Sequence, residues 1–264
     1  MEETNMNFAA DISAPLACSS PLVTVSIVSH GHGAMVLDLL NDLSSVVDCR
    51  INVILTLNIP EAEIFEESPW PFPLTLIRNL RARGFGKNHN TAFSLCTTPY
   101  FCVLNPDIRL HQGSLKLLLQ DFGDLRVGAV GPLVFSPDLS IDDSARKFPT
   151  LTGLAWRFIS GVRKADYFVE RGPVNVDWLA GMFVLFKRET FVEVGGFDEG
   201  YFMYLEDVDI CRRLHERNLQ VRLNPDFQVI HAAQRASKKS LRHLSWHLRS
   251  VARYFLGINF RTSV

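Results

Sequence analysis

The stretch "LVTVSIVSHGHGAMVLDLL", residues 22–40, decides the class of fold. Its first half is rich in β-branched residues and ends on Ser29 and His30, as a buried parallel strand does at its carboxyl edge. After Gly31-His32-Gly33 the period changes, and Met35, Val36, Leu39, Leu40 and Leu43 recur at helical spacing. Further strands are predicted at "RINVILTLN" (50–58), "LTLIRN" (74–79) and "YFCVLN" (100–105), the last preceded by a helix over about residues 86–95. Strand and helix alternating in this way predict an α/β fold, with a mostly parallel sheet flanked by helices. Ligands of such sheets gather outside the carboxyl ends of the strands.

Beyond residue 110 the pattern loosens. "VGAVGPLVF" (127–135) predicts a strand and residues 136–149 a polar loop, while the stretch to about residue 175 shows no clear pattern. "VDWLAGMFVLFKRETF" (176–191) reads as a strand running into a short helix, "YFMYLEDVDICRRL" (201–214) as a helix and "LQVRLNPDFQVIH" (219–231) as extended chain. Residues 1–20 are expected to be a flexible leader, 21–232 one domain, and 233–264 a basic amphipathic segment.

Of the 264 residues 47% are hydrophobic and 21% charged, an ordinary globular balance with a net charge of −1. That balance gives no global attraction to nucleic acid. The charge is unevenly spread: no acid follows Asp226, so the last 38 residues carry +7 and the rest −8. Such a tail suits an acidic partner, a membrane surface or a phosphorylated substrate. Five scattered cysteines without a Cys-x-x-Cys pair argue against a disulfide framework or zinc site and fit a reducing cytosol. The acidic start does not read as a signal peptide, and no run reaches the roughly 18 apolar residues of a membrane span.

Several clusters could carry chemistry. "LNPD" (104–107) follows the most apolar strand, where a carboxylate is well placed to hold a hard divalent cation against a diphosphate. The same tetrapeptide recurs at 223–226 as an ordinary turn, so strand context singles out Asp107. "RGFGKNHNTAF" (83–93) opens a helix with Gly84, Gly86 and several amides, either to let a nucleotide approach or simply as a glycine-rich helix start. Glu206, Asp207 and Asp209 crowd one first helical turn, where the helix dipole favours acids. Asp209 is expected to pair with Arg212 or Arg213, and Val208, Cys211 and Leu214 to be buried. Glu206 and Asp207 are left facing the sheet edge, as helix decoration or with one of them a general base. His231 ends an extended run, either as a polar strand end or as a metal ligand; His30, His32 and His89 carry the same alternatives.

Taken together, "VSHGHG", "GFGKNHN", "FCVLNPDI", "VDWLAGMFVLFKRE" and "GGFDEGYFMYLEDVDICRRL" resemble glycosyltransferase family 2, above all its bacterial rhamnosyltransferases of lipopolysaccharide or O-antigen synthesis. The resemblance runs from about Leu22 to His231. It implies a GT-A fold, Rossmann-like, and inverting transfer of a sugar from a nucleotide donor such as dTDP-rhamnose to a polyprenyl-diphosphate-linked saccharide. The implied cofactor is a divalent metal, Mg or Mn, held by Asp107 and His231. Asp207 would be the base and Glu206 would orient the acceptor or the base. Ser29, His30, Asn58, Gly84, Gly86, Asn88 and Asn105 would line the donor site; Asp177, Trp178 and Gly181, with Glu206, the acceptor site. One departure stands out: Leu57 and Asn58 occupy the place where the family usually has an Asp that reads the base. Alternatives are another nucleotide sugar or a non-catalytic relative. The implied setting is cytoplasmic, peripheral on the inner face of the membrane. "SKKSLRHLSWHLRSVARYFL" (237–256) then has two readings, a helix docking its apolar stripe on the domain or an interfacial helix meeting anionic lipid or a diphosphate.

Overall fold

Four strands and two helices form the first half: β1 (Val23–Ser29), α1 (Gly33–Val46), β2 (Ile51–Leu57), β3 (Leu74–Arg78), α2 (Phe85–Phe93) and β4 (Tyr100–Leu104). The computed structural model of the protein describes residues 21–46, 50–65, 69–153, 166–167, 172–232 and 241–257. The expected leader and residues 233–240 and 258–264 lie outside the described residues. The strands pair in parallel in the order β3-β2-β1-β4, as the alternating pattern predicts.

The second half contributes β5 (Ile108–Gln112), α3 (Leu115–Asp121), β6 (Val127–Phe135), β7 (Ala145–Arg146), β8 (Val174–Val176), β9 (Trp178–Leu179) and β10 (Phe183–Lys187). Then come α4 (Arg188–Glu193), α5 (Glu206–His215), β11 (Gln220–His231) and α6 (Leu241–Leu256). β10 inserts antiparallel between β4 and β6, and β11 runs parallel to β6 and antiparallel to β5. The sheet is therefore parallel in its first half and mixed in its second. The second "LNPD" is a bulge within β11: the register slips between Asn224 and Gln228, and Asn224 Oδ1 accepts from Asp226 N at 2.9 Å.

Period-two alternation divides the core. In β4, Cys102 and Leu104 join the cluster under α1 and α3, while Phe101 and Val103 join the one under α2, α4 and α5. β1 does the same with a polar twist: Val23, Val25 and Ile27 face one side, and Thr24 and Ser26 are buried on the other. Ser26 Oγ meets His89 Nδ1 at 2.8 Å. His89 is thus a core histidine held through Nδ1, its Nε2 buried without a hydrogen-bond partner and its pKa pushed down to about 3 by burial.

α6 packs on the loop that precedes α5. Trp246 lies 4.6 Å from Phe202 between ring centroids, Ser250 Oγ donates to Met203 O at 2.8 Å, and Tyr204 Oη meets His243 Nδ1 at 2.7 Å. Arg253 donates to both carboxylate oxygens of Asp198 at 2.8 Å and covers the Tyr201 ring. A Cβ on Gly200 would fall on that guanidinium, so a side chain there would have to displace Arg253 from this position. Expectation and structure differ in part on the docking face: the helix does dock, with Val251 of the expected stripe against the core, but chiefly through polar and aromatic side chains. Leu244 and Leu248 of the apolar stripe stay 47% and 59% exposed.

Candidate active site

The carboxyl end of β4 carries the first half of the site. Asn105 N donates to Met182 O at 2.9 Å, and the Asn-Pro-Asp turn reverses the chain into β5. β11 returns beside β5 with His231 opposite Ile108, and Ala232 N donates to Asp107 O at 2.8 Å. That register brings His231 Nε2 to 3.2 Å from Asp107 Oδ2. On its other side, His231 Nδ1 lies 2.9 Å from Asp142 Oδ2. Burial disfavours the imidazolium, but hydrogen bonds to Asp107 and Asp142 and the charges of both outweigh it, raising the pKa to about 9. The His231 hydrogen bond in turn holds the Asp142 carboxyl below its ordinary range, against the opposing effect of burial.

These residues fit a divalent cation. Asp107 Oδ1 is buried with no hydrogen-bond partner, an orphaned anionic oxygen beside an imidazole nitrogen. Asp142 behind His231 supplies the outer carboxylate that usually orients a metal-bound histidine. No cluster of three or more His, Cys, Asp or Glu suited to a metal occurs among the described residues. Two protein ligands leave room for water and substrate phosphates, the habit of small hard cations.

The second half is the start of α5. Tyr204 and Leu205 have φ of 74° and 66°, and this left-handed pair turns the chain abruptly into the helix. Glu206 is buried, and its Oε2 has no partner. Asp207 is half-buried; its Oδ2 accepts from Gly181 N at 3.1 Å and its Oδ1 from Val208 N at 2.9 Å. Burial raises the Glu206 carboxyl pKa well above the usual range, and the Asp207 charge adds to it. Burial also holds the Asp207 carboxyl above its usual range, against the opposing effect of the Gly181 and Val208 amides and the positive Arg146. The two adjacent carboxyls differ in their surroundings: Asp207 receives two backbone amides, and Glu206 Oε2 receives none. Asp209 is structural as expected, held by Arg212 at 3.0 Å and Arg213 at 2.8 Å. Residues 181 and 182 join the two halves, since Met182 O fixes Asn105 while Gly181 N fixes Asp207.

The candidate donor residues divide. Ser29 Oγ donates to Glu61 Oε2 at 2.8 Å, and Gly31 N donates to Glu61 Oε1 at 3.2 Å. His30 is exposed at this edge, 3.4 Å from Asn58 Nδ2. Burial and then His32 hold its pKa below the ordinary value; Glu61 opposes this and Arg242 of α6 reinforces it. Asn105 is half-buried beside Asp107. Asn58 and Asn88 serve the protein instead. Asn58 Oδ1 accepts from Arg83 N at 2.8 Å and from Asn79 Nδ2 at 3.1 Å, while Asn88 Oδ1 accepts from Asn79 Nδ2 at 2.8 Å. The three amides hold the 79–84 loop.

Gly84 and Gly86 do not open toward a ligand. A Cβ at Gly84 would lie 2.8 Å from Phe202 O, and one at Gly86 2.6 Å from Phe197 Cβ. The glycine-rich helix start is needed for close packing against the loop that leads to Glu206.

On the candidate acceptor side, Asp177 and Trp178 are likewise engaged internally. Asp177 accepts from Phe148 N at 2.8 Å and from Tyr167 Oη at 2.9 Å. Trp178 is 8% exposed, donates through Nε1 to Lys147 O at 2.9 Å and lies beneath the Arg146 guanidinium. They pin the 144–148 segment, which places Arg146 near Asp207. Only Gly181 reaches the acid pair directly. Sequence reasoning missed Asp142, Arg146, Glu61 and Asn79, none of which lies in a recognisable motif.

The family model for "Glycosyl transferase family 2" matches residues 61–213. Rhamnosyltransferase WbbL of Escherichia coli K12 is 31% identical over 245 residues, which cover 88% of this chain and 92% of that one. The N-acetylglucosaminyl-diphospho-decaprenol L-rhamnosyltransferase of Mycobacterium tuberculosis is 35% identical over 161 residues, 56% of this chain and 52% of that one. Among solved structures, GalNAc-T7 with UDP, GalNAc and Mn2+ matches with a TM-score of 0.64 at 16% identity, over 88% of this chain and 47% of that one. The mannosyltransferase PcManGT of Pyrobaculum calidifontis, in complex with GDP-Man and Mn2+, matches at 0.56 and 18% identity, over 91% of this chain and 66% of that one. These likenesses show the GT-A fold, and with the family match and the extended similarity to WbbL the conclusion is direct. The chain belongs to glycosyltransferase family 2.

Proposed function

We propose that the protein transfers rhamnose, with inversion, from dTDP-rhamnose to a saccharide linked to a polyprenyl diphosphate, at the cytoplasmic face of the membrane. The observation that carries the reading is the acid pair: Asp207, aimed by two backbone amides, next to a buried Glu206, and tied through residues 181–182 to Asp107 and His231. The relatives named above as rhamnosyltransferases, one with a decaprenyl-diphospho acceptor in its name, support the choice of sugar and acceptor.

The chemistry follows from the geometry. The acceptor hydroxyl approaches Asp207, whose carboxylate is aimed by the Gly181 and Val208 amides. As the new carbon–oxygen bond forms at the anomeric carbon, the bond to the nucleoside diphosphate breaks and the hydroxyl proton passes to Asp207. Glu206, holding its own proton, can donate a hydrogen bond to the acceptor or to its neighbour without competing as a base. Asp107 and His231 would hold a divalent cation, which when bound supplies positive charge for the departing diphosphate. Ser29, His30, Glu61 and Asn105 form the rim where the nucleotide would rest.

The test is nucleoside-diphosphate release from dTDP-rhamnose, with a polyprenyl-diphosphate-linked acceptor and with or without magnesium or manganese. Release that needs both acceptor and metal is expected. Turnover with a different nucleotide sugar alone would discard rhamnose, and no turnover with any donor would discard catalysis.

A further inference from the structure

The function proposed above uses one face of α6 only indirectly and the other not at all. His243, Trp246, Ser250 and Arg253 face the 198–204 loop. Turning the helix by half a revolution brings Leu244, Leu248 and Phe255 into one stripe. Leu244 and Leu248 are 47% and 59% exposed, and Leu256, at the end of the helix, is 68% exposed. An amphipathic helix usually spends its apolar face on the core. Here the core side is taken by aromatic and polar groups with fixed partners and by Val251 and Tyr254 packed on the core, so Leu244 and Leu248 face outward.

Charge identifies what could cover them. Arg242 and Arg249 are exposed on α6, and Arg235, Lys238, Lys239 and Arg261 flank it in sequence. No acidic residue occurs anywhere after Asp226. Arg242 stacks over the Trp246 ring at 5.0 Å, but the exposed leucines together with Arg249, on a helix that carries no carboxylate, match the interface of an anionic bilayer. A protein interface would more often deplete lysines such as Lys238 and Lys239. None of the helices described is long and apolar enough to cross a membrane, so the contact is with the surface.

We infer that α6 is a two-faced helix that seats the enzyme on anionic lipid through Leu244, Leu248 and Arg249, while its inner face clamps the loop that leads to the acid pair. The clamp is direct. Ser250 and His243 hold Met203 and Tyr204, immediately before the left-handed Leu205 and Glu206. Lipid seating would thus fix the position of Asp207 relative to the bilayer. This consequence rests on the reading of a lipid-linked acceptor; the lipid contact itself does not.

The experiment is co-sedimentation of the full chain with phosphatidylcholine vesicles, with and without phosphatidylglycerol, in the absence of donor and acceptor. Binding that needs the anionic lipid is expected. The double variant Leu244→Glu/Leu248→Glu should bind at least about tenfold more weakly. Its melting temperature should match the wild type, because both side chains already face solvent. Arg249→Glu should weaken binding to anionic vesicles and leave any residual binding to neutral ones unchanged. Wild-type protein that ignores anionic vesicles would overturn the inference, as would a double variant that binds like wild type. A double variant that only dissolves a dimer, leaving vesicle binding intact, would assign the stripe to a second copy and also overturn it. Because no sugar is transferred in this assay, its failure would leave the proposed reaction standing, and the converse holds.

Discussion

Glu206 and Asp207 are adjacent in sequence and differ in what surrounds them. Asp207 receives two backbone amides, whereas Glu206 Oε2 receives nothing. The consequence for stability has a definite sign. Below the ordinary glutamate pKa both folded and unfolded chains hold the proton. As the pH rises toward the elevated folded value only the unfolded chain releases it, so stability falls across that window. Glu206→Gln escapes this loss. Its melting temperature should exceed that of the wild type by a margin that widens from about pH 5 to about pH 8. A margin independent of pH would place the proton elsewhere. Behind the other half of the site, Asp142→Asn should weaken manganese or magnesium binding roughly 10–100-fold while leaving the fold intact, measured by calorimetric titration. Asp142 was not legible from sequence. It sits in a polar loop without periodicity, 89 residues from the histidine it orients, and only the return of β11 beside β6, whose Val134 O accepts from Asp142 N, brings the two together.

At the scale of elements, the glycines of the α2 start and of the 195–200 turn serve the same junction. Gly84 and Gly86 let α2 approach Phe202 and Phe197, and Gly200 makes room for Arg253. The composition of "RGFGKNHN" was legible, but its purpose was not, since a glycine needed for close packing looks the same in sequence as one needed for a ligand. Gly86→Ala should be destabilising by roughly 1–3 kcal/mol in chemical denaturation, because its Cβ meets Phe197 Cβ and neither side can move far. α6 presents a related ambiguity. Its leucine stripe is plain in the sequence, yet the direction it faces depends on Phe202, Asp198 and Tyr204, which recruit the opposite side of the helix. If that recruitment positions the acids, Trp246→Ala should lower kcat while leaving donor affinity close to the wild-type value, measured by steady-state kinetics alongside donor titration. An effect confined to donor affinity would contradict the link.

The whole molecule is one sheet edge put to use. Buried parallel strands announce themselves by short runs of apolar and β-branched residues with polar ends, which is why β1, β2 and β4 were readable along with the position of Asp107. The mixed half was less so: β10 enters between β4 and β6 from far along the chain, and this non-local insertion sets Gly181 and Met182 between the two clusters. The strand itself was legible; its neighbours were not. From that placement comes the central claim, that Asp207 is the base of the transfer. The direct test compares wild type and Asp207→Asn for acceptor-dependent nucleoside-diphosphate release, with donor binding measured on the same preparations. The expected result is turnover lower by about 10²–10⁴-fold with donor affinity essentially unchanged. Near-normal turnover in Asp207→Asn would contradict the claim and remove Asp207 from the role.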